Sequence, residues 1–322
     1  MKALWILIAV LSVGACGVLG WLISKKQKTG VKMKAMPRTE AGDMIEALQK
    51  VDPKLVIRIE AGRLPTGLRE LRGVAVGPED RIYVVGDKTL VVLDAAGKTL
   101  ARTALDDAPR CVAVDGESTS YVGMRDHVQV VDAQGAVKAK WSVIDKDAWV
   151  TSVQVTADTV YVGDFGRRVV LKYDKAGTPT GQITPADGAN GRFEIPSPFF
   201  DVALDAAGDP WVTHTGRRLI EHYKDGKLVT AWGKSIPQIE GFSGCCNPTH
   251  IAIRKDGTFV TSEKGLVRIK IHKPDGELVG VVAAPKDFRS NTKGLDLAVD
   301  SADRILVTDP DSSSIRVYVA KP

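Results

Sequence analysis

Two adjacent cysteines are the most unusual chemical feature of this sequence. Cys245 and Cys246 are closely followed by His250 within the segment GFSGCCNPTHIAI. Three interpretations are open. The pair could form a strained vicinal disulfide, which would need an oxidising compartment. With His250 it could instead bind a soft metal such as zinc or copper. Finally, both thiols could be inert, one buried and one at the surface.

A second candidate site consists of residues that hold the same position in a recurring strand. Directly before the apolar centre of each strand stand Gly73, Cys111, Ser152, Asp201, His250 and Asp296. If these strands surround one channel, four of the side chains could hold a divalent metal such as Zn²⁺ or Ca²⁺, namely Cys111, Asp201, His250 and Asp296. The alternative is that they hydrogen-bond to backbone amides and water in a wet channel.

Loops after the second strand of the same repeats carry a third set of polar residues. These are Asp164, His214, Glu263 and Asp309. Carboxylates at such positions commonly cap turns or pair with an arginine of the next strand. His214 replaces the usual carboxylate, so we consider His214 and Glu263 as candidates for the general base or acid of a catalytic site.

Established catalytic and cofactor motifs are missing. There is no GxSxG elbow, Walker loop, HExxH or dinucleotide fingerprint, and no CxxCH or paired CxxC motif that would indicate haem or an iron–sulfur cluster. Aromatic residues make up only 6% of the chain and do not alternate with basic runs, which argues against a single-stranded RNA platform.

The net charge of +5 lies entirely near the N-terminus. Residues 1–50 contain eight basic and three acidic residues, so the basic and acidic residues of 51–322 are equal in number. A basic cluster beside an apolar segment favours contact with anionic lipid headgroups. We therefore expect a membrane partner and no nucleic acid.

The N-terminal residues Leu4 to Ile23 are almost wholly apolar and are followed by Lys25 and Lys26. About 20 such residues in a helix span a bilayer, so we predict a single transmembrane anchor over 1–24. The alternatives are a lipoprotein signal at Cys16 and a cleaved signal peptide. A basic linker follows over 25–53, with a short helix within 39–50 that Pro53 stops.

Internal repeats predict the fold of residues 54–322. Six apolar first strands recur at intervals of about 40 to 50 residues, the length of a four-stranded propeller blade. They read GVAV, CVAV, SVQV, DVAL, HIAI and DLAV. D-x-x-G turns and period-two alternation fit antiparallel meanders. The prediction is an all-β, six-bladed β-propeller, closed by pairing the surplus strand Leu55–Ile59 with the final strand Ile315–Val319.

Two of the blades resemble the NHL family of six-bladed propellers. GDFGRRVVLKYDKAG (163–177) and THTGRRLIEHYKDGK (213–227) share the polar loop, arginine, apolar strand and Asp-Gly turn of that family. The resemblance covers 54–320 and includes membrane-anchored bacterial members. The segment 241–283 is also distantly similar to a blade of the peptidyl-α-hydroxyglycine α-amidating lyase, whose zinc is held by several channel histidines. Here only His214 and His250 match that role.

Three functions are consistent with these observations. The first, which we favour, is a membrane-anchored scaffold whose loop face binds a protein or small ligand. The second is a metal-dependent hydrolase or lyase at the channel mouth, and the third is a redox or metal-handling role for Cys245 and Cys246.

The side of the membrane on which the propeller lies is predicted differently by two observations. The positive-inside rule places the propeller in the cytoplasm, because the apolar run is followed by Lys25, Lys26, Lys28, Lys32 and Lys34. Anchored propellers that this chain resembles are usually exported, so we expect an extracytoplasmic propeller.

Overall fold

The computed structural model describes residues 38–185, 189–289 and 292–322. The chain divides into two compact units, Met1–Ile45 and Glu46–Pro322. Helix α1 spans Arg38–Gln49, close to the predicted short helix. The predicted transmembrane segment 1–24 lies outside the described residues. Within the described part of the chain, no helix is both long and apolar enough to cross a membrane.

Six four-stranded antiparallel sheets form the second unit, and each corresponds to one blade. Blade 1 contains β2 (Leu71–Val76), β3 (Ile82–Gly86), β4 (Thr89–Leu93) and β5 (Thr99–Ala104). Blade 2 contains β6 (Cys111–Val114), β7 (Ser120–Gly123), β8 (Val128–Val131) and β9 (Val137–Lys140). Blade 3 contains β10 (Val150–Val155), β11 (Thr159–Asp164), β12 (Val169–Asp174) and β13 (Pro179–Ile183).

The remaining blades follow the same order, except for the last. Blade 4 contains β14 (Val202–Leu204), β15 (Pro210–His214), β16 (Leu219–Lys224) and β17 (Lys227–Trp232). Blade 5 contains β18 (His250–Ile253), β19 (Phe259–Ser262), β20 (Ile269–His272) and β21 (Leu278–Ala283). Blade 6 contains β22 (Leu297–Val299), β23 (Ile305–Asp309), β24 (Ser314–Ala320) and β1 (Arg58–Pro65).

The first strand of the chain lies later than the sequence pattern predicts. β1 pairs antiparallel with β24 from Arg58 opposite Ala320 to Pro65 opposite Ser314. The residues just before β1 contact blade 5 instead: Val56 forms an isolated bridge with Val281, and the Ile57 amide donates to the Val281 carbonyl at 3.0 Å. The apolar run 55–59 is therefore shared between two blades.

The recurring D-x-x-G segments form the tight turns between strands. In the Asp94–Gly97 turn, the Asp94 carboxylate accepts from the amides of Ala96 and Lys98, and Gly97 has a φ of +91°. Only glycine adopts such a backbone angle without strain. The D-x-x-G repeat of the sequence therefore corresponds to a repeated hydrogen-bonded turn.

The hydrophobic core lies between blades rather than within them. Six apolar clusters are present in the described residues, and each combines residues from two neighbouring blades. One of them joins blade 6 to blade 1, where Leu306 and Ile315 pack with Val74 and Ile82. The ring of blades is closed by this contact, and the first residues of the six innermost strands meet around its axis.

Candidate functional site at the channel mouth

A funnel opens at the end of the channel where the innermost strands begin. Its volume is about 430 Å³, and every blade contributes at least one residue. Its charged or ionisable lining residues are Arg69, Glu70, Arg72, Arg110, His250 and Lys293. Because four basic side chains face one carboxylate, the mouth of the funnel is electropositive at neutral pH.

Below the funnel lies a small cavity of about 30 Å³, large enough for a single water molecule. Its lining brings together the polar residues of the first strands: Cys111, Ser152, Asp201, His250 and Asp296. His250 lines both the funnel and this cavity. The four residues that the sequence predicts as metal ligands therefore share one cavity.

Asp201 and Asp296 connect neighbouring blades through their side chains. Asp201 accepts a hydrogen bond from the Ile251 amide of blade 5 at 2.8 Å. Asp296 accepts one from the Val74 amide of blade 1 at 2.9 Å. The other oxygen of each carboxylate accepts from the amide of the next residue in its own strand. Both carboxylates thus satisfy backbone donors, as the alternative interpretation of the sequence predicts.

Burial makes both carboxylates less acidic than usual. It raises the pKa of Asp201 to about 6, with Asp296 adding to the shift and His250 opposing it. Burial likewise raises the pKa of Asp296 to about 6, although the Val74 and Leu297 amides oppose it. The charge at the floor of the channel therefore changes near pH 6.

His250 is the ionisable residue of this floor with an uncommitted atom. Its Nδ1 is buried and has no hydrogen-bond partner within the described parts of the chain, and its ring lies edge-on to Phe199 at 6.0 Å between centroids. Burial lowers the pKa of His250, against the opposing charge of Asp201. The imidazole is therefore neutral at pH 7 and available to accept or donate one hydrogen bond.

The predicted metal set is only partly suited to an ion. Burial, reinforced by Asp296 and Asp201, raises the pKa of the Cys111 thiol well above its usual value, so this sulfur is protonated in the metal-free protein. In the described parts of the chain, no three ligand atoms of this set lie within 4.8 Å of one another. Binding an ion here would require these side chains to move closer together, and the metal site stays a prediction.

The structure places a different trio in ligand-like proximity. Asp205, Asp209 and His222 form the one group of three such atoms within 4.8 Å among the described residues. The Asp205 carboxylate there also accepts from the amides of Ala207 and Asp209 in its turn. This geometry is that of a D-x-x-G turn with a histidine beside it.

His214, predicted as a general base, is fully buried within blade 4. Its Nδ1 lies 2.7 Å from Glu221 Oε1, and its Nε2 accepts from the Glu194 amide at 2.8 Å. Tyr223 donates to the other oxygen of Glu221 at 2.6 Å. Both ring nitrogens are committed, and His214 lines neither the funnel nor the cavity below it. This arrangement is structural and gives the catalytic prediction no support.

Glu263 is also fully buried, as the counter-ion of two cations. Its oxygens lie 2.7 Å from Arg268 Nε and 2.9 Å from Lys270 Nζ. Burial acts to raise the pKa of Glu263, but Lys270 and Arg268 outweigh it and the net shift is downward. The pairing with Arg268 is the alternative that the sequence pattern predicts, and an ionised, fully enclosed carboxylate does not reach a ligand.

Cys245 and Cys246 are both free thiols, with their sulfurs 3.1 Å apart. Cys245 is exposed and Cys246 is buried. His250 does not join them, because no group of three potential ligands in the described residues includes either cysteine. Cys246 instead contacts Ser197, next to the funnel residues Pro198 and Phe199.

The cations of the funnel are not among the residues that the sequence pattern predicts as functional. Arg110 lies over the Trp149 ring at 4.3 Å, its Nε is buried without a hydrogen-bond partner, and no carboxylate pairs with it within 4 Å in the described chain. One signal could have found it: Arg72 and Arg110 each stand directly before a predicted rim residue, Gly73 and Cys111.

Comparison with known proteins supports the fold. No family model matches this chain, and no curated protein matches it in sequence. Virginiamycin B lyase from Staphylococcus aureus superposes with a TM-score of 0.53 at 12% identity, covering 78% of this chain and 80% of that one. A streptogramin B lyase gives 0.55 at 10% identity, covering 82% and 98%.

A gluconolactonase from Xanthomonas campestris superposes with a TM-score of 0.59 at 15% identity, covering 85% of this chain and 94% of that one. At these identities the similarity shows the fold alone. The all-β six-bladed propeller is therefore confirmed, whereas membership of the NHL family is not shown.

Proposed function

We propose that the propeller is a binding module that holds the anionic group of a ligand in the mouth of its channel. The observation that carries this proposal is the Arg110 guanidinium at the funnel wall, which stacks on Trp149 and pairs with no carboxylate of the described residues. Burial, followed by repulsion from Arg72, lowers the pKa of Arg110. A carboxylate, sulfate or phosphate group beside Arg110 would relieve both effects, since a guanidinium binds such groups through two parallel hydrogen bonds.

The shape of the funnel limits how the ligand would lie. Four cations line the mouth, while Asp201 and Asp296 line the narrow cavity beneath it. An anionic group is therefore attracted to the mouth and repelled from the floor. A neutral polar part of the ligand would face His250, whose Nδ1 would supply one directional hydrogen bond.

The test is calorimetric titration of the full-length protein with sulfate in a chloride buffer of constant ionic strength. We expect Arg110→Ala to weaken sulfate binding by about tenfold or more, the effect of losing a charged hydrogen bond. Arg81→Ala is the matched control, because Arg81 pairs with Glu79 in a turn away from the funnel. Equal affinities for the wild type and Arg110→Ala would contradict the proposal.

A second candidate is a lyase or hydrolase acting at the same mouth, because the three similar structures described above are named as two lyases and a gluconolactonase. It is favoured by His250, a neutral imidazole that lines the same cavity as two carboxylates and whose buried Nδ1 has no hydrogen-bond partner in the described chain. One of the similar structures is a lyase described as catalytically inactive because a single histidine is replaced by alanine. In this chain, His250 would be the residue that transfers a proton to or from the substrate. A divalent cation, if held by Asp201, His250 and Asp296, would polarise a substrate oxygen.

Two measurements test the enzyme candidate. The first is the metal content of the full-length protein, where one ion per chain that is lost in His250→Ala supports a metal site. The second is turnover of gluconolactone and streptogramin B, the substrates that the neighbours' names give. A metal-free protein that turns over neither compound would remove support for this candidate and leave the binding module.

Membrane attachment through residues 1–24 and an extracytoplasmic propeller are also proposals. The anchor is supported by the apolar run Leu4 to Ile23. The extracytoplasmic side is supported by the resemblance to exported anchored propellers, against the positive-inside rule. Alkaline extraction of membranes from expressing cells, followed by protease protection, tests both. Release of the protein at high pH would argue against an anchor.

A further inference from the structure

The loop between β17 and β18 holds the two adjacent thiols in unequal surroundings. Cys245 is exposed at the surface, whereas Cys246 is only 3% exposed. The sulfurs are in hydrogen-bonding contact at 3.1 Å. An incoming molecule therefore reaches the Cys245 sulfur first, with the Cys246 sulfur directly behind it.

The Cys246 sulfur lies beside a cation and a hydroxyl donor. Lys264 Nζ donates to Ser197 Oγ at 2.9 Å, and both groups interact with the Cys246 sulfur. Burial acts to raise the pKa of Cys246, but hydrogen bonds from Ser197 and Cys245 and the charge of Lys264 lower it overall. The hydrogen bond to Cys246 raises the pKa of Cys245. The buried sulfur is thus the one that carries negative charge more readily.

Several buried interactions hold this loop in place. The side-chain amide of Asn247 donates from Nδ2 to the Ser243 carbonyl at 2.6 Å, and its Oδ1 accepts from the backbone amide of Lys264 at 2.9 Å. The Ser243 amide donates to the buried Glu263 carboxylate at 2.8 Å. The two thiols and the Lys264 ammonium are consequently carried on one fixed framework, which is the requirement for a preorganised reactive site.

We propose that Cys245 and Cys246 form a thiol–disulfide exchange site that reduces an external disulfide. The Cys245 thiolate attacks one sulfur of that disulfide, forming a mixed disulfide and releasing one thiol, which takes the proton lost by Cys245. The Cys246 thiolate then attacks the Cys245 sulfur and releases the second thiol, which takes the remaining proton. Two protein thiols are oxidised to one vicinal disulfide, and one external disulfide is reduced to two thiols.

Each residue has a distinct role in this exchange. Cys245 is the accessible sulfur, Cys246 is the resolving sulfur, and Lys264 is a positioning residue that favours the Cys246 thiolate. The vicinal disulfide closes a strained eight-membered ring, and strained or exposed disulfides are the ones readily reduced again. The site therefore returns to the dithiol when a reductant is supplied. The proposal is independent of anion binding in the funnel.

The test uses the full-length reduced protein and oxidised glutathione as the disulfide. After acid quenching, the remaining thiols are alkylated, and the mass of the peptide that carries both cysteines is measured by mass spectrometry. In the wild type we expect the peptide to lose two hydrogens, without bound glutathione or alkyl groups. If both cysteines stay alkylatable, or if a glutathione adduct persists on Cys245, the proposal is overturned.

Variants separate the roles from a merely structural effect. Cys246→Ser should trap a stable glutathione adduct on Cys245, whereas Cys245→Ser should react slowly because its remaining thiol is buried. Lys264→Gln should let the mixed disulfide accumulate, with resolution slowed about threefold for each pKa unit that Cys246 gains. Lys273→Gln, at an exposed turn, is the matched control. Equal resolution rates in both lysine variants would rule out the positioning role of Lys264.

Discussion

Glu263 illustrates, at the scale of single residues, how burial decides what a polar side chain does. Its carboxylate lies between Arg268 and Lys270, and all three side chains are at most 1% exposed. Arg268 also donates to the Pro237 carbonyl, and Lys270 to the Gly241 carbonyl. The cluster thus fixes the long loop that precedes β18. Burial lowers the pKa of Lys270 to about 8, although Glu263 opposes the shift.

We expect Glu263→Gln to lower the free energy of unfolding by about 3–5 kcal/mol, since it leaves two buried cations without a counter-ion. Urea denaturation of the full-length protein, followed by circular dichroism, measures this loss. Glu277→Gln, in an exposed pair with Lys273, should change the unfolding midpoint little. A Glu263→Gln protein as stable as this control would show that the buried pairing contributes nothing.

At the scale of strands, two blades share one contact between their first two strands. In each of them, a threonine of the second strand supports the aspartate at the start of the first strand. The Asp201 amide donates to Thr213 Oγ1 at 2.8 Å in blade 4, and the Asp296 amide donates to Thr308 Oγ1 at 2.7 Å in blade 6. The first strand is thereby held so that its carboxylate reaches the amide of the next blade. Position within a strand, rather than a linear motif, assigns this role.

Replacing Thr308 by valine removes the acceptor for the half-buried Asp296 amide while keeping the shape of the side chain. We expect Thr308→Val to destabilise the protein by about 1–3 kcal/mol, the cost of an unsatisfied buried donor. Thr261→Val provides a matched control in blade 5, because the Thr261 hydroxyl is fully buried and has no partner in the described chain. That change should be neutral or stabilising in the same urea experiment, and equal losses in both variants would refute the supporting role of Thr308.

The electrostatics of the channel arise at the scale of the whole molecule. All six blades contribute to the funnel, and its cations come mainly from the starts of blades 1, 2 and 6. The carboxylates of the floor come from blades 4 and 6. No single blade therefore contains the binding site, and the field that a ligand meets depends on closure of the ring.

Anion binding should strengthen as the pH falls through about 6. The pKa values of Asp201 and Asp296 are raised to about 6, so protonation there removes negative charge beneath the funnel. An increase of at most about tenfold per pH unit is expected for each proton taken up with the ligand. Sulfate stays a dianion over this range, so calorimetry between pH 5 and 8 measures the protein's contribution alone.

The matched variant is Asp296→Asn, which should show weaker pH dependence than the wild type. Affinity that is constant over this range, or that falls at lower pH, would contradict the role of the two carboxylates.

By itself, the sequence determined the number of blades, the turns between strands and the position of each first strand. These are local properties: the D-x-x-G turns depend on neighbouring residues, and alternation along a strand selects its buried face. The sequence pattern predicts that the strand paired with β24 begins at Leu55, whereas the pairing begins three residues later at Arg58. The reason is that the apolar run 55–59 does not show which of two blades each residue contacts.

Only the tertiary structure decided which polar residues are free to act. His214, Glu263 and His250 all stand near strand ends, and the sequence pattern does not show which of them is enclosed. Folding encloses the first two among hydrogen-bond donors and counter-ions, whereas the Nδ1 atom of His250 has no hydrogen-bond partner among the described residues. The grouping of Arg110 with Lys293, and of Cys246 with Ser197 and Lys264, likewise joins residues from separate blades and loops. Such contacts depend on how blades pack around a common axis, which no short stretch of sequence encodes.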